Sequence, residues 1–223
     1  QLYVAKKYFD IGNEPTAIAT ATATAEVSKA DNDVALAKDL FRLKRLAMWR
    51  CEYMQLAAVK NFTEVADFEV SPGFLISTIK NSDSDDDDDE AAFEPVTYLV
   101  EPLRSTSVVR KFSGTLGATQ DTDKLALTIL SFSHFMLDVT ACAISMVDLQ
   151  GAFFLPGAVR RLTLFDPMSH TITEDSGIGD FGATGIQDSI ETHQCSLYCH
   201  GLGLSSTQVL KATLARQRKE AIV

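Results

Sequence analysis

Three ligands of the kind that bind zinc fall within seven residues of one another: His193, Cys195 and Cys199, in the stretch THQCSLYC. Two thiolates and two imidazoles form a tetrahedral zinc set, and four protein ligands leave no position for water, so the implied site is structural. It constrains the fold, because a fourth ligand must be brought to the same point. That ligand is His134, His170 or His200, and spacing does not choose among them. The competing reading is a pair of buried thiols beside unrelated histidines, since the spacing is not that of a common zinc finger. The crowding of Cys and His into so short a stretch favours zinc. Cys51 and Cys142 stand in apolar surroundings and read as core thiols.

The chain has 223 residues, room for one large domain or two lobes sharing a cleft. Four cysteines are too few for a disulfide scaffold. Hydrophobic residues make up 46% and charged residues 22%, as in a folded globular protein. The net charge is −10, and seven of the 30 acids form one run, Asp83 and Asp85 to Glu90; removing those seven leaves −3. Neither value suits nucleic acid or an anionic membrane, both of which need a basic face. No basic and apolar leader marks the start, so the expected location is intracellular, in the cytoplasm. The one stretch long enough for a membrane span, 125–147, carries His134, Asp138 and three serines, and reads better as a helix followed by a buried strand.

Along the chain, residues 2–9 read as a short strand carrying Lys6 and Lys7, and 16–24 is an Ala/Thr repeat, read as a surface loop or added strand. Asp31 or Asp33 caps a helix reaching towards Phe62, with Leu36, Leu40, Leu43 and Ala47 on one face and Lys38, Arg42 and Arg45 on the other. Pro72 and Gly73 end it, and 74–79 is a strand. The acidic tract at 81–90 reads as a solvated, self-repelling loop. A strand at 98–100 leads into Glu101, Pro102 and Leu103, where the chain turns as a hinge would. A second helix, 122–137, is capped by Asp121 or Thr122, and an apolar strand ending at Val147 puts Asp148 where it emerges into a loop. A polar helix at about 205–220 reads as peripheral.

Asp148, Gln150 and Asp166 offer hard oxygen ligands for magnesium and a carboxylate that can accept a hydroxyl proton, the two requirements of phosphoryl transfer. Such residues at a strand end and beside a proline are common, so spacing alone does not assign them. The sequence GIGDFG, from Gly177 through Gly179 to Gly182, matches the dinucleotide-binding pattern, but a turn-like TEDS precedes it instead of a strand. It reads as a loop that allows close backbone approach.

Taken in order, YVAKKYF, MQLAAVKNF, VEPL, SHF, DLQG, DP, the glycine loop, HQC with CxxxC, and LGL resemble the alpha-kinase family of atypical protein kinases. The resemblance is strongest over 98–204. It implies an α+β, two-lobed, protein-kinase-like fold, with an N-terminal lobe over 1–100 and a C-terminal catalytic lobe over 101–223. It further implies an ATP-dependent serine/threonine kinase that uses Mg2+, acts on a protein substrate and holds a structural Zn2+. On this resemblance Asp148 is the catalytic acid or base, and Gln150 and Asp166 hold magnesium. Glu101 and Leu103 receive adenine, Lys6 and Lys111 face the phosphates, and Gly177, Gly179 and Gly182 form the substrate loop. His134 completes the zinc set with His193, Cys195 and Cys199. Glu52 is the expected acidic partner of Lys6, with Asp39 a shorter one. Departures from the family pattern are the five residues ahead of Lys6, which leave part of the nucleotide roof missing, an insertion around 156–161, and KFSG in place of an asparagine-rich segment. The alternative they leave is a zinc-stabilised pseudokinase that binds a partner or nucleotide without transferring phosphate.

Overall fold

A computed structural model describes residues 2–10, 25–79, 94–104, 106–154 and 161–220. The Ala/Thr repeat, the acidic tract and residues 156–160 of the insertion lie outside the described residues. In chain order the elements are β1 (Tyr3–Lys6), β2 (Phe9–Asp10), β3 (Ala25–Glu26), α1 (Lys29–Val59), β4 (Phe68–Val70), β5 (Phe74–Ser77) and β6 (Thr97–Pro102). They continue with β7 (Arg110–Lys111), α2 (Lys124–Val139), β8 (Ile144–Val147), β9 (Gln150–Phe154), β10 (Arg161–Phe165), β11 (Met168–Thr171), α3 (Gly182–Thr192), α4 (Leu197–Leu202) and α5 (Thr207–Glu220).

The chain divides into two compact units, residues 1–40 with 72–103 and residues 41–71 with 104–223. Residues 41–71 therefore belong to the second unit, whereas an unbroken first lobe over 1–100 was expected. The reason lies in α1, whose later turns place Leu46, Trp49, Tyr53 and Ala57 in the core of the second unit at helical spacing.

In the first unit β6 is the middle strand, with β1 and β5 antiparallel on its two sides. Leu99 and Val100 are buried. Asn32, near the start of α1, donates to the carbonyl of Thr97 (3.0 Å) and accepts from the N–H of Tyr8 (3.0 Å). The cap of α1 is Ser28, ahead of the aspartates expected in that role. Its Oγ accepts from the N–H of Asp31 (3.1 Å) and donates to the Asp31 carboxylate (2.6 Å), so Asp31 and Asp33 lie inside the helix.

In the second unit the sheet order is β4-β10-β9-β7, with β10 parallel to β4 and antiparallel to β9, and β9 antiparallel to β7. Strand β8 pairs with β11. The core joins α1 to Ile129, Phe132, Phe135 and Met136 of α2. Tyr53 meets Phe132 and Phe135 edge-on at 5.3 and 5.6 Å, and its hydroxyl shares a hydrogen bond of 2.7 Å with Ser131. Helix α2 is capped by Asp123, not Asp121 or Thr122. The apolar run at 125–147 is thus helix, turn and strand, and among the described residues no helix is long and apolar enough to cross a membrane. Helix α5 is less peripheral than its polarity suggests, because Leu210 and Leu214 are buried with Ile186 and Ile190 of α3. Cys142 is buried as expected, but Cys51 is exposed, off the α1 stripe.

Candidate active site and metal centre

Strands β8 and β9 are consecutive, and so are β10 and β11. In β8–β11 Val147 faces Met168, and in β9–β10 Gln150 faces Phe165, so one antiparallel register runs through both pairs. The ribbon is interrupted at the same level on each side, after Val147 and after Phe165. Asp148 (φ 50°) and Asp166 (φ 54°) occupy these kinks, both in the left-handed region that non-glycine residues rarely adopt. Asn61, Ala141, Cys142 and Glu174 share the positive φ, but only Asp148 and Asp166 stand at matched positions of this ribbon, which makes the pair the candidate centre. Gln150 opens β9 directly after the first kink, with Lys111 of β7 facing it from the other side. Gln150 and Asp166 thus belong to adjacent rungs, and an amide oxygen and a carboxylate are donor types that suit a hard cation.

The Asp148 kink is anchored from behind. Its N–H donates to Gly114 O (3.0 Å), the Leu149 N–H donates to Ser113 Oγ (2.9 Å), and the Phe112 N–H donates to Leu149 O (2.8 Å). KFSG, which departs from the family pattern, is therefore the segment that holds the kink. Thr115 donates its hydroxyl to Asp148 Oδ2 (2.6 Å). On the other kink, buried Arg42 of α1 donates through Nε to Pro167 O (3.0 Å) and through a second nitrogen to Ser176 O. Sequence reading turned Arg42 outward. The signal was there, since residue 42 lies on the same stripe as Leu46, Trp49 and Tyr53.

Gly177, Gly179 and Gly182 all have positive φ (126°, 79° and 58°), in a turn that passes into α3 at Gly182. A helix thus opens at the last glycine, where a loop alone was expected. A side chain at Gly182 would collide with the Glu174 carboxyl. Asp180, missed by sequence reading, ties this turn together. It accepts from the backbone of Thr171 (3.0 Å), Ser176 (3.0 Å) and Gly182 (2.9 Å) and from the hydroxyls of Thr171 and Ser176 (both 2.7 Å). Burial pushes its carboxyl up, but these donors outweigh burial and hold it below the usual range.

In the first unit, Lys6 lies 2.5 Å from the carboxylate of Glu101, which is buried on β6. The partner predicted from sequence, Glu52, is exposed on α1. Register explains the pairing: Lys6 faces Leu99 and Glu101 faces Val4, so Lys6 and Glu101 sit diagonally across the β1–β6 ladder. Asp39, the shorter alternative, accepts from the Tyr8 hydroxyl (2.8 Å). The Glu101 side chain points into the interior, so adenine recognition at this position would fall to its backbone. Leu103 is exposed, and its N–H donates to Leu2 O (2.9 Å).

His134 of α2, His193 and Cys195 between α3 and α4, and Cys199 of α4 offer ligand atoms that all lie within 4.8 Å of one another. Cys199 Sγ is 3.4 Å from His193 Nε2, and Cys195 Sγ is 3.8 Å from His134 Nδ1. Nε2 of His134 is buried without a hydrogen-bond partner among the described residues. Burial, with the charge of His134, pushes His193 down to about 4, and burial raises the Cys199 thiol. Neutral imidazoles are the form that ligates, and a cation would supply the charge that two thiolates need. The donor set fits zinc. Of the other two histidines, His170 uses both ring nitrogens in hydrogen bonds and His200 is exposed.

Comparison with known proteins places these features in context. The sequence model of the alpha-kinase family matches residues 1–199. Alpha-protein kinase 1 of Dictyostelium discoideum is 36% identical over 115 residues, 51% of this chain and 7% of that protein. Human eukaryotic elongation factor 2 kinase is 31% identical over 96 residues, 43% of this chain and 12% of that protein. The chain thus spans a small part of the length of these relatives. Among solved structures, the alpha-kinase domain of myosin heavy chain kinase A in complex with AMP superposes with a TM-score of 0.57 at 23% identity, over 80% of this chain and 62% of that one. The same domain with AMP-PNP gives a TM-score of 0.57 over 80% of this chain and 58% of that one. These likenesses show a shared α+β fold.

Proposed function

The chain belongs to the alpha-kinase family, and from that membership we propose that it is a protein serine/threonine kinase that transfers the γ-phosphoryl group of ATP to a hydroxyl of a protein substrate. The observation that carries the reading is the pair of left-handed aspartates, Asp148 and Asp166, at matched kinks of one ribbon beside Gln150. The solved relatives with AMP and AMP-PNP support nucleotide binding.

Asp148 accepts the proton of the substrate hydroxyl as it attacks. Gln150 and Asp166 would hold magnesium, which would supply positive charge against the charge that develops on the transferred phosphoryl group. Lys6 and Lys111 face the phosphates, and Glu101 orients Lys6. The backbone of Glu101 and the carbonyl of Leu103 receive adenine, the Leu103 N–H being taken by Leu2 O. The turn at Gly177, Gly179 and Gly182 presents the substrate peptide. Most of the rate enhancement is positioning and fixed charge. His134, His193, Cys195 and Cys199 would hold zinc in a closed site with a structural role.

Two substitutions test the reading by failing differently. Asp148→Asn should abolish transfer to a Ser/Thr peptide while leaving nucleotide affinity nearly unchanged, because the amide keeps the shape but accepts no proton. Asp166→Ala should weaken magnesium-dependent nucleotide binding together with turnover, because it removes a metal ligand. Nucleotide binding with no phosphate transfer by the unaltered chain would reject the kinase reading and assign a zinc-stabilised pseudokinase.

A further inference from the structure

His170, on β11, is fully buried and stands apart from the four-residue metal cluster. Its Nδ1 accepts the N–H of Phe181 (3.0 Å), the residue from which α3 starts, so the ring hydrogen sits on Nε2. Nε2 in turn donates to the carbonyl of Thr115 (2.8 Å). The Thr115 hydroxyl donates to Asp148 Oδ2 (2.6 Å). Asp180 Oδ1 also lies 3.9 Å from Nδ1, but it already accepts the N–H groups of Thr171 and Gly182. Helix α3 leaves room for the ring, because any side chain at Gly185 would run into His170.

We propose that Thr115 and His170 are positioning residues for Asp148, and that through them the orientation of this carboxylate is tied to the start of α3 and the glycine turn. The proposal rests on the reading of Asp148 as the proton acceptor. Thr115 engages Oδ2 and leaves Oδ1 to take the substrate proton. His170 fixes Thr115 by its backbone, and the N–H of Phe181 fixes His170. A buried imidazole bonded at both nitrogens is a rigid spacer between two backbone segments, so a shift of the glycine turn is carried to the carboxylate three hydrogen bonds away. A peptide seated on the turn thereby bears on the alignment of the group that deprotonates it.

The experiment compares Thr115→Val, Thr115→Ser, His170→Leu, His170→Gln and Gly185→Ala in the full chain. It measures kcat and KM on a degenerate peptide library with fixed Thr, ADP affinity, and melting temperature. Thr115→Val, His170→Leu and Gly185→Ala are expected to lower kcat by about 10²-fold, the scale of a misplaced catalytic group, with ADP affinity little changed. Thr115→Ser keeps the hydroxyl, and His170→Gln keeps one acceptor and one donor, so both are expected to recover most of the loss. The proposal is overturned if turnover per folded molecule is unchanged while only the melting temperature falls, or if Gln and Ser do no better than Leu and Val. Loss of transfer in Asp148→Asn, with Thr115→Val and His170→Leu as active as the unaltered chain, overturns this proposal alone. Retained transfer in Asp148→Asn, or none in the unaltered chain, removes the base assignment and this proposal with it.

Discussion

One guanidinium serves two carbonyls at the second kink: Arg42 donates to Pro167 O and to Ser176 O from a position with 8% exposure. Arg42→Met would keep the aliphatic stem but leave both carbonyls short of a donor. The expected cost is about 2–3 kcal/mol, the scale of charged hydrogen bonds lost from a buried site, read as a fall in the urea midpoint without change in slope. Arg42→Lys should fall between the two. A loss under ~0.5 kcal/mol would mean that water replaces the guanidinium at both oxygens. Charge misled the sequence reading at this residue, because a cation on an amphipathic helix was weighted towards solvent over its place on the apolar stripe. The expectation of Glu52, with Asp39 as the alternative, came from the family resemblance, and Glu101, read only as a hinge residue, was not considered as the partner of Lys6. Asp148 was legible because an apolar run of strand length has one end, and the aspartate stands there. His170 and Thr115 were not, since their partners are backbone groups that no side-chain pattern reveals.

Helix α2 depends on its first turn. Asp123 accepts the N–H groups of Leu125 (3.0 Å) and Ala126 (3.2 Å), and its carboxylate also meets Arg110, which holds Asp121 at 3.0 Å as well. The hydrogen bond from Arg110 is the main cause that holds the Asp123 carboxyl below its usual range. Its contribution to stability is therefore present above the unfolded value of 3.8 and is lost as pH falls below it. Asp123→Ala should destabilise by about 1 kcal/mol in thermal unfolding, mostly through the lost cap, because the exposed ion pair is screened. Asp123→Ser should recover the cap but show less salt dependence. A larger loss in Ser than in Ala would exclude the capping account. Elements of this length were readable from sequence: α2, α5 and β8 follow from period and run length, with ends displaced by a few residues. The two residues of β7 carry no pattern. The parallel pairing of β4 with β10 joins segments more than ninety residues apart in the chain, and nothing local encodes it.

At the scale of the molecule, the proposed metal centre joins what the chain separates. His134 comes from α2, and the other three ligands come from the stretch between α3 and α4 and from α4 itself, all within the second unit. Purified protein should hold about one zinc per chain. Chelation should lower the melting temperature by roughly 10 °C or more, given about 2–4 °C per kcal/mol in a chain of this size. Well-folded protein without zinc would exclude the assignment. In metal-free protein, His193 should resist protonation down to about 4 while the unfolded chain takes a proton near 6.5, so stability should be constant above 6.5 and fall as pH drops towards 4. His193, Cys195 and Cys199 were legible by residue type, whereas His134 was selected over the other histidines only by the resemblance to the family.

The shared register of β8–β11 and β9–β10 has a consequence for how freely the connection between them can vary. Which residues face one another across the kinks is set by the ladder, from Gln150 opposite Phe165 to Val147 opposite Met168. Arg161 faces Phe154 at the far end of the β9–β10 ladder from those rungs, so the connection between these two residues can lengthen or shorten while Asp148 and Asp166 keep their places. Distance along the chain between the two aspartates is thus a poor measure of kinship, and rung number is a better one.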